Sequence, residues 1–173
     1  MELYNDCGRF RVEYGVLKDF ECAKANQVKE NVWKCLDIPE GVRVIPEEMF
    51  HGCRVLEYVR FPESLVILGT GHAGAFAWCD LPDIELPRTL KELGGFTFAK
   101  STLRSLRIPK GLKSEYGRQF KESSIGTLYL PEEFRADGTP YGFCEKYQWG
   151  QEQYGYIRSM LVNNVRIGEV IFE

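Results

Sequence analysis

The sequence predicts an α/β repeat solenoid, with a parallel β ribbon on its concave side, short helical or 3₁₀ turns on its convex side, and capped ends. Three observations carry this expectation. An apolar residue, any residue, an apolar residue and a proline recur as Leu36-Asp37-Ile38-Pro39, Val59-Arg60-Phe61-Pro62, Ile84-Glu85-Leu86-Pro87, Leu106-Arg107-Ile108-Pro109 and Leu128-Tyr129-Leu130-Pro131. The prolines lie 23, 25, 22 and 22 residues apart, a period that marks stacked short units. A phenylalanine closes the return segment at Phe50, Phe76, Phe98 and Phe120, with Phe143 as a fifth candidate.

Each unit opens with a strand whose two apolar residues point inward while the residue between them points out. The proline that follows has no N–H to donate, so it ends the ladder. Five parallel strands about 4.8 Å apart make a ribbon on the order of 19 Å long. Further apolar columns surround this frame. Trp33, Leu56, Leu81, Leu103 and Ile125 precede the strands by three residues, and Val42, Leu65, Leu90, Leu112 and Phe134 follow the prolines by three. Ile45, Leu68 and Leu93 come three later, where Glu115 breaks the column. A lone buried carboxylate is costly, so Glu115 is expected to turn outward or find a partner, with Tyr116 filling the space. In Ile45-Pro46-Glu47-Glu48-Met49-Phe50 the early proline and the acids predict one helical turn. Three residues beyond each Phe stands a small side chain, Cys53, Cys79, Ser101 or Ser123.

These columns resemble the leucine-rich-repeat family in its BspA-like (Treponema-type) branch, which is marked by a strand, Ile-Pro, an apolar turn and a Phe-x-x-Cys step. The pattern is plainest in Leu36 to Leu56, LDIPEGVRVIPEEMFHGCRVL, and covers roughly residues 32–134. The resemblance also implies that Phe10 to Leu17 forms the strand pair that opens such domains, and that the chain is a non-enzymatic binding module.

A solenoid must cover its open ends, because each unit touches only its neighbours. Residues 1–31 and 135–173 are the expected caps of a single domain spanning 1–173. The C-terminal part holds Tyr141, Phe143, Tyr147, Trp149, Tyr154 and Tyr156, read as a cap or, alternatively, as a ligand-stacking site. Two apolar runs around Asn163-Asn164 predict a hairpin or strand pair.

With 173 residues, 44% apolar and 27% charged, the chain reads as one globular domain able to bury a core. A net charge of −3 without a Lys/Arg run lacks the footprint of a nucleic-acid binder. No stretch reaches the ~18 apolar residues of a membrane span. The start, Met1-Glu2-Leu3-Tyr4-Asn5-Asp6, lacks signal-peptide character. The expectation is cytoplasmic if the chain is whole, and cell-surface or secreted if a leader has been removed.

Six cysteines contain no Cys-x-x-Cys pair, and neither His51 nor His72 stands in a metal motif, so no metal or cofactor is expected. Cys53 and Cys79 read as packing residues, because their column also accepts serine. Cys7, Cys22, Cys35 and Cys144 have no repeat register and are expected as thiols. Gly69-Thr70-Gly71-His72-Ala73-Gly74 matches the letters of the dinucleotide fingerprint without its βαβ context and reads as an insertion loop. His51 lies two residues from Cys53, but a cysteine facing the core makes a poor nucleophile.

The outward strand positions form two columns: Asp37, Arg60, Glu85, Arg107, Tyr129, and Cys35, Tyr58, Asp83, Ser105, Thr127. Alternating charge reads either as a self-neutralising ladder or as a polar surface for another protein or peptide. On the second reading Tyr58, Arg60, Asp83, Glu85, Arg107 and Tyr129 are the candidate binding residues, exposed on neighbouring strands. The alternatives are a small enzyme with its site in 135–173 and a fragment of a bacterial surface adhesin.

Overall fold

The computed structural model describes residues 1–24, 27–29, 32–54, 56–110, 112, 118–132 and 165–173. In chain order the strands are β1 (Glu2–Asn5), β2 (Gly8–Glu13), β3 (Val16–Cys22), β4 (Gln27–Lys29), β5 (Val32–Trp33), β6 (Cys35–Asp37) and β7 (Val44–Ile45). They continue as β8 (Tyr58–Arg60), β9 (Ile67–Leu68), β10 (Asp80–Glu85), β11 (Glu92–Leu93), β12 (Thr102–Arg107), β13 (Ser124–Leu130) and β14 (Arg166–Phe172). They wind into a β-solenoid of about four turns.

The Pro-terminated signatures form two parallel sheets that follow one another and together make the long ribbon. β6 pairs with β8, and β10, β12, β13 and β14 run in that order, with β8 packed beside β10. Across this ribbon Asp37 pairs with Arg60, Glu85 with Arg107, and Arg107 with Tyr129, the register that the prolines imply. After each proline the chain turns tightly. The N–H groups of Val42, Leu65 and Leu90 donate to the carbonyls of Pro39, Pro62 and Pro87, which fixes the three-residue step to the next apolar column. The two-residue strands β7, β9 and β11 then form a second parallel ribbon.

The N-terminal residues extend that second ribbon. β2 and β3 form the expected hairpin, joined through Tyr14 (φ 52°) and Gly15 (φ 79°), the paired left-handed conformation of a two-residue loop. β3 pairs in parallel with β7 at Val16–Val44, while β1 lies antiparallel on β2.

The third segment of each unit corrects the α/β expectation. Among the described residues there is no α-helix, and the convex segments are chains of turns. Backbone dihedrals give the reason. Glu48, Phe96 and Arg118, two residues before a Phe, have φ of 60°, 58° and 64°. Gly52, Trp78, Lys100 and Glu122, two residues after one, have φ of 74°, 62°, 56° and 58°. A left-handed residue on each side breaks any helical run. The hydrogen bonds also run between turns of the solenoid. Phe50, Phe76 and Phe98 donate to the carbonyls of Ala75, Thr97 and Gln119, and Gly52, Trp78 and Lys100 to those of Ala77, Ala99 and Lys121. The Pro46 segment therefore spends its donors on the neighbouring turn and not on itself.

The core is one continuous column. Phe50, Phe76, Phe98 and Phe120 are all 1% exposed or less and stack with centroids 5.0, 5.8 and 5.4 Å apart. Phe20 of β3 and Trp33 meet Phe50 edge-on, closing the N-terminal end of the stack. The small-residue column does more than save space. Cys79 Sγ donates to the Phe50 carbonyl (3.2 Å), Ser101 Oγ to that of Phe76 (2.7 Å), and Ser123 Oγ to that of Phe120 (2.6 Å). Cysteine and serine share this column because the turn wants a small donor.

Two further features complete the fold. Arg166–Phe172 adds a sixth parallel strand, with Ile125 opposite Ile167 and Leu128 opposite Val170, while Asn163-Asn164 and the run before it lie outside the described residues. Its signature is plain beside β13: Ser-Ile-Gly-Thr-Leu-Tyr-Leu against Arg-Ile-Gly-Glu-Val-Ile-Phe. Both glycines meet the neighbouring strand closely. A Cβ on Gly126 would strike the Arg104 carbonyl oxygen, and one on Gly168 would strike that of Gly126. Cys7 and Cys35, expected as thiols, are joined in a disulfide with Cα atoms 5.8 Å apart. The hairpin brings the β1–β2 turn onto β6, where Asn5 Nδ2 also donates to the Asp37 carbonyl (2.6 Å). Glu115, Tyr116, Phe134, Cys144 and the aromatic run from Tyr141 to Tyr156 lie outside the described residues.

Candidate functional site

The outward side chains of the long ribbon line an open groove of about 900 Å³. All six candidate residues border it. Tyr58, Arg60, Asp83 and Glu85 are exposed, as expected. Arg107 and Tyr129 are half-buried, short of the full exposure expected for those two. The cause is local: the Arg107 guanidinium lies 4.4 Å over the Tyr129 ring and pairs with the Glu173 carboxylate just past β14. That carboxylate was missed because β14 itself was not recognised as a strand of this ribbon.

The charges pair along the ribbon, though not always with the neighbour that the sequence suggests. Arg60 meets Asp37 at 3.2 Å and lies 5.8 Å over the Tyr58 ring. Asp83 takes Arg104 at 3.3 Å and the Ser105 hydroxyl at 2.8 Å. Tyr58 also sits beside the disulfide, its hydroxyl 3.6 Å from Cys7 Sγ. At the groove edge Glu40 reaches across a turn, its carboxylate accepting the Glu63 and Ser64 N–H groups at 2.8 and 3.1 Å. These ties make the groove wall stiff and polar. The exposed ion pairs are individually worth little, about 0–1 kcal/mol.

The other candidate chemistries resolve structurally. In the glycine loop the His72 and Ala73 N–H groups, at 3.2 and 2.9 Å, already hold the Glu47 carboxylate. Gly69 and Gly71 have φ of 81° and 88°, and a Cβ at Gly71 would crowd that same carboxylate. The loop thus clasps an internal anion. His51 is exposed while Cys53 is 2% exposed. A hydrogen bond with Cys79, followed by burial, pushes the Cys53 thiol far above the ordinary range, the opposite of an activated nucleophile. Among the described residues no cluster of three or more His, Cys, Asp or Glu could hold a metal ion.

A family model for the BspA type leucine rich repeat region matches residues 28–136 in six copies. This chain belongs to the BspA-type leucine-rich-repeat family. The strand, proline, turn, phenylalanine and Cys/Ser columns of the BspA-type pattern are the structural elements described above. Such repeats commonly mediate protein interactions, and the family is typically non-enzymatic. A search of the curated proteins finds no match. Among the described residues no helix is long and apolar enough to cross a membrane.

Proposed function

We propose that this chain is a single, non-enzymatic domain that binds another protein or a peptide through the groove of its long ribbon. The observation that carries this is that Tyr58, Arg60, Asp83 and Glu85 stand exposed on neighbouring strands and line one groove, continued by Arg107 and Tyr129. Tyrosine and arginine are the residue types that interface centres favour. Strands locked by a shared core hold them in place before binding, so little ordering entropy is lost on association.

A photo-cross-linking amino acid at Tyr58 and, separately, at the exposed Lys91 beside the second ribbon tests the reading in an extract of the native host. The groove position should capture a protein that the other position does not. For that partner, Tyr58→Ala and Arg107→Ala should each weaken binding by more than ~1 kcal/mol with little change in folding stability. Equal capture from both positions, or unchanged affinity in both variants, would falsify the groove as the binding face.

A further inference from the structure

Glu85 occupies the middle of the ribbon, in the charge column between Arg60 and Arg107. Sign alternation along the column suggests that it should be neutralised from both sides. Instead, both arginines lean away: Arg60 is taken by Asp37 at 3.2 Å, and Arg107 by Glu173 and the Tyr129 ring. Arg104, one turn over, is taken by Asp83 at 3.3 Å. Among the described residues Glu85 makes no ion pair and no side-chain hydrogen bond, and it is exposed to the groove. Both arginines of the two outward columns therefore have a carboxylate, while in the middle of the ribbon Glu85 is left without an arginine.

We propose that Glu85 is the charge-reading position of this groove and seats a lysine or arginine side chain of a protein segment laid along the ribbon. The inference rests on the groove being the binding face. A cation here gains a charge-assisted hydrogen bond with a carboxylate that has no internal partner to give up. The exposed Tyr58 ring on the adjacent strand supplies apolar surface of the kind that the alkyl stem of such a side chain favours. Conversely, an acidic side chain at this point would meet uncompensated like charge, which discriminates against it.

The test is selection of a random peptide library displayed on phage against the whole chain, with affinities measured afterwards on Glu85→Gln, on Tyr58→Ala and on Glu92→Gln, an exposed carboxylate of the second ribbon. Selected peptides should share a lysine or arginine position. They should bind Glu85→Gln about tenfold more weakly, a loss of ~1.4 kcal/mol, and bind Glu92→Gln as they bind the original chain. Peptides that lose affinity on Tyr58→Ala but not on Glu85→Gln would overturn the role of Glu85 and leave the groove standing. Peptides indifferent to both variants, or a selection that yields no binder, would overturn both.

Discussion

The phenylalanine column sets the energetics at the scale of single residues. Phe98 has a stacked ring on each side, Phe76 and Phe120, so a cavity left there has no free neighbour to close it. Phe98→Ala should cost about 3–5 kcal/mol, read as a fall in the chemical-denaturation midpoint. An unchanged midpoint would contradict the stack. Cys53 gives a second test. Its raised folded value favours the protonated thiol, so its contribution is complete below the unfolded thiol value and drains away as pH rises past it towards the folded value. Stability should decline above about pH 9, and less so in Cys53→Ser. Much of this was legible beforehand. The Phe, Leu and Cys/Ser positions announce themselves because a buried column must repeat its size and polarity at every turn. The partial covering of Arg107 did not, because its partner Glu173 lies beyond the last proline and carries no periodic mark.

Among the elements, the strands were readable and the convex segments were not. Proline followed by two acids is good chemistry for a helix start, yet Glu48 adopts a left-handed conformation because the neighbouring turn offers carbonyls to the Phe50 and Gly52 N–H groups. Tertiary hydrogen bonding outweighs local preference there. β14 lacked a proline and so escaped the pattern, although its Ile-Gly repeats that of β13. Gly168→Ala should therefore cost about 1–3 kcal/mol through overpacking against the Gly126 carbonyl. Its measurement is the unfolding midpoint, with Glu169→Ala, exposed on the same strand, as the neutral comparison. The disulfide had no sequence signal at all, since Cys7 and Cys35 meet only when the hairpin folds onto β6. It closes a separation of 28 residues, for which chain entropy gives about 3–4 kcal/mol. Cys7→Ser should lose stability of that order, and intact-mass analysis without reductant should show the oxidised chain two hydrogens lighter.

For the whole molecule, the paired charges of the ribbon leave no field of one sign to steer a highly charged ligand. Binding in the groove should then respond only modestly to salt, and a steep fall in association rate with ionic strength would argue for another surface. The turn-to-turn bonding has a different consequence. Because the N–H of each Phe from Phe50 to Phe98, and that of the residue two beyond it, finds its acceptor one unit further on, and each of these rings stacks on an equivalent ring, the interface between units repeats at matching positions. The length of this protein is thus quantised. Splicing Lys100 directly to Ser123 removes one whole unit and sets Ser123 where Ser101 stood, with Ile125 meeting Leu81 in place of Leu103. The shortened chain should still unfold cooperatively, with its ribbon about 4.8 Å shorter, whereas removing half that number of residues would set apolar positions against turns and leave nothing that stacks.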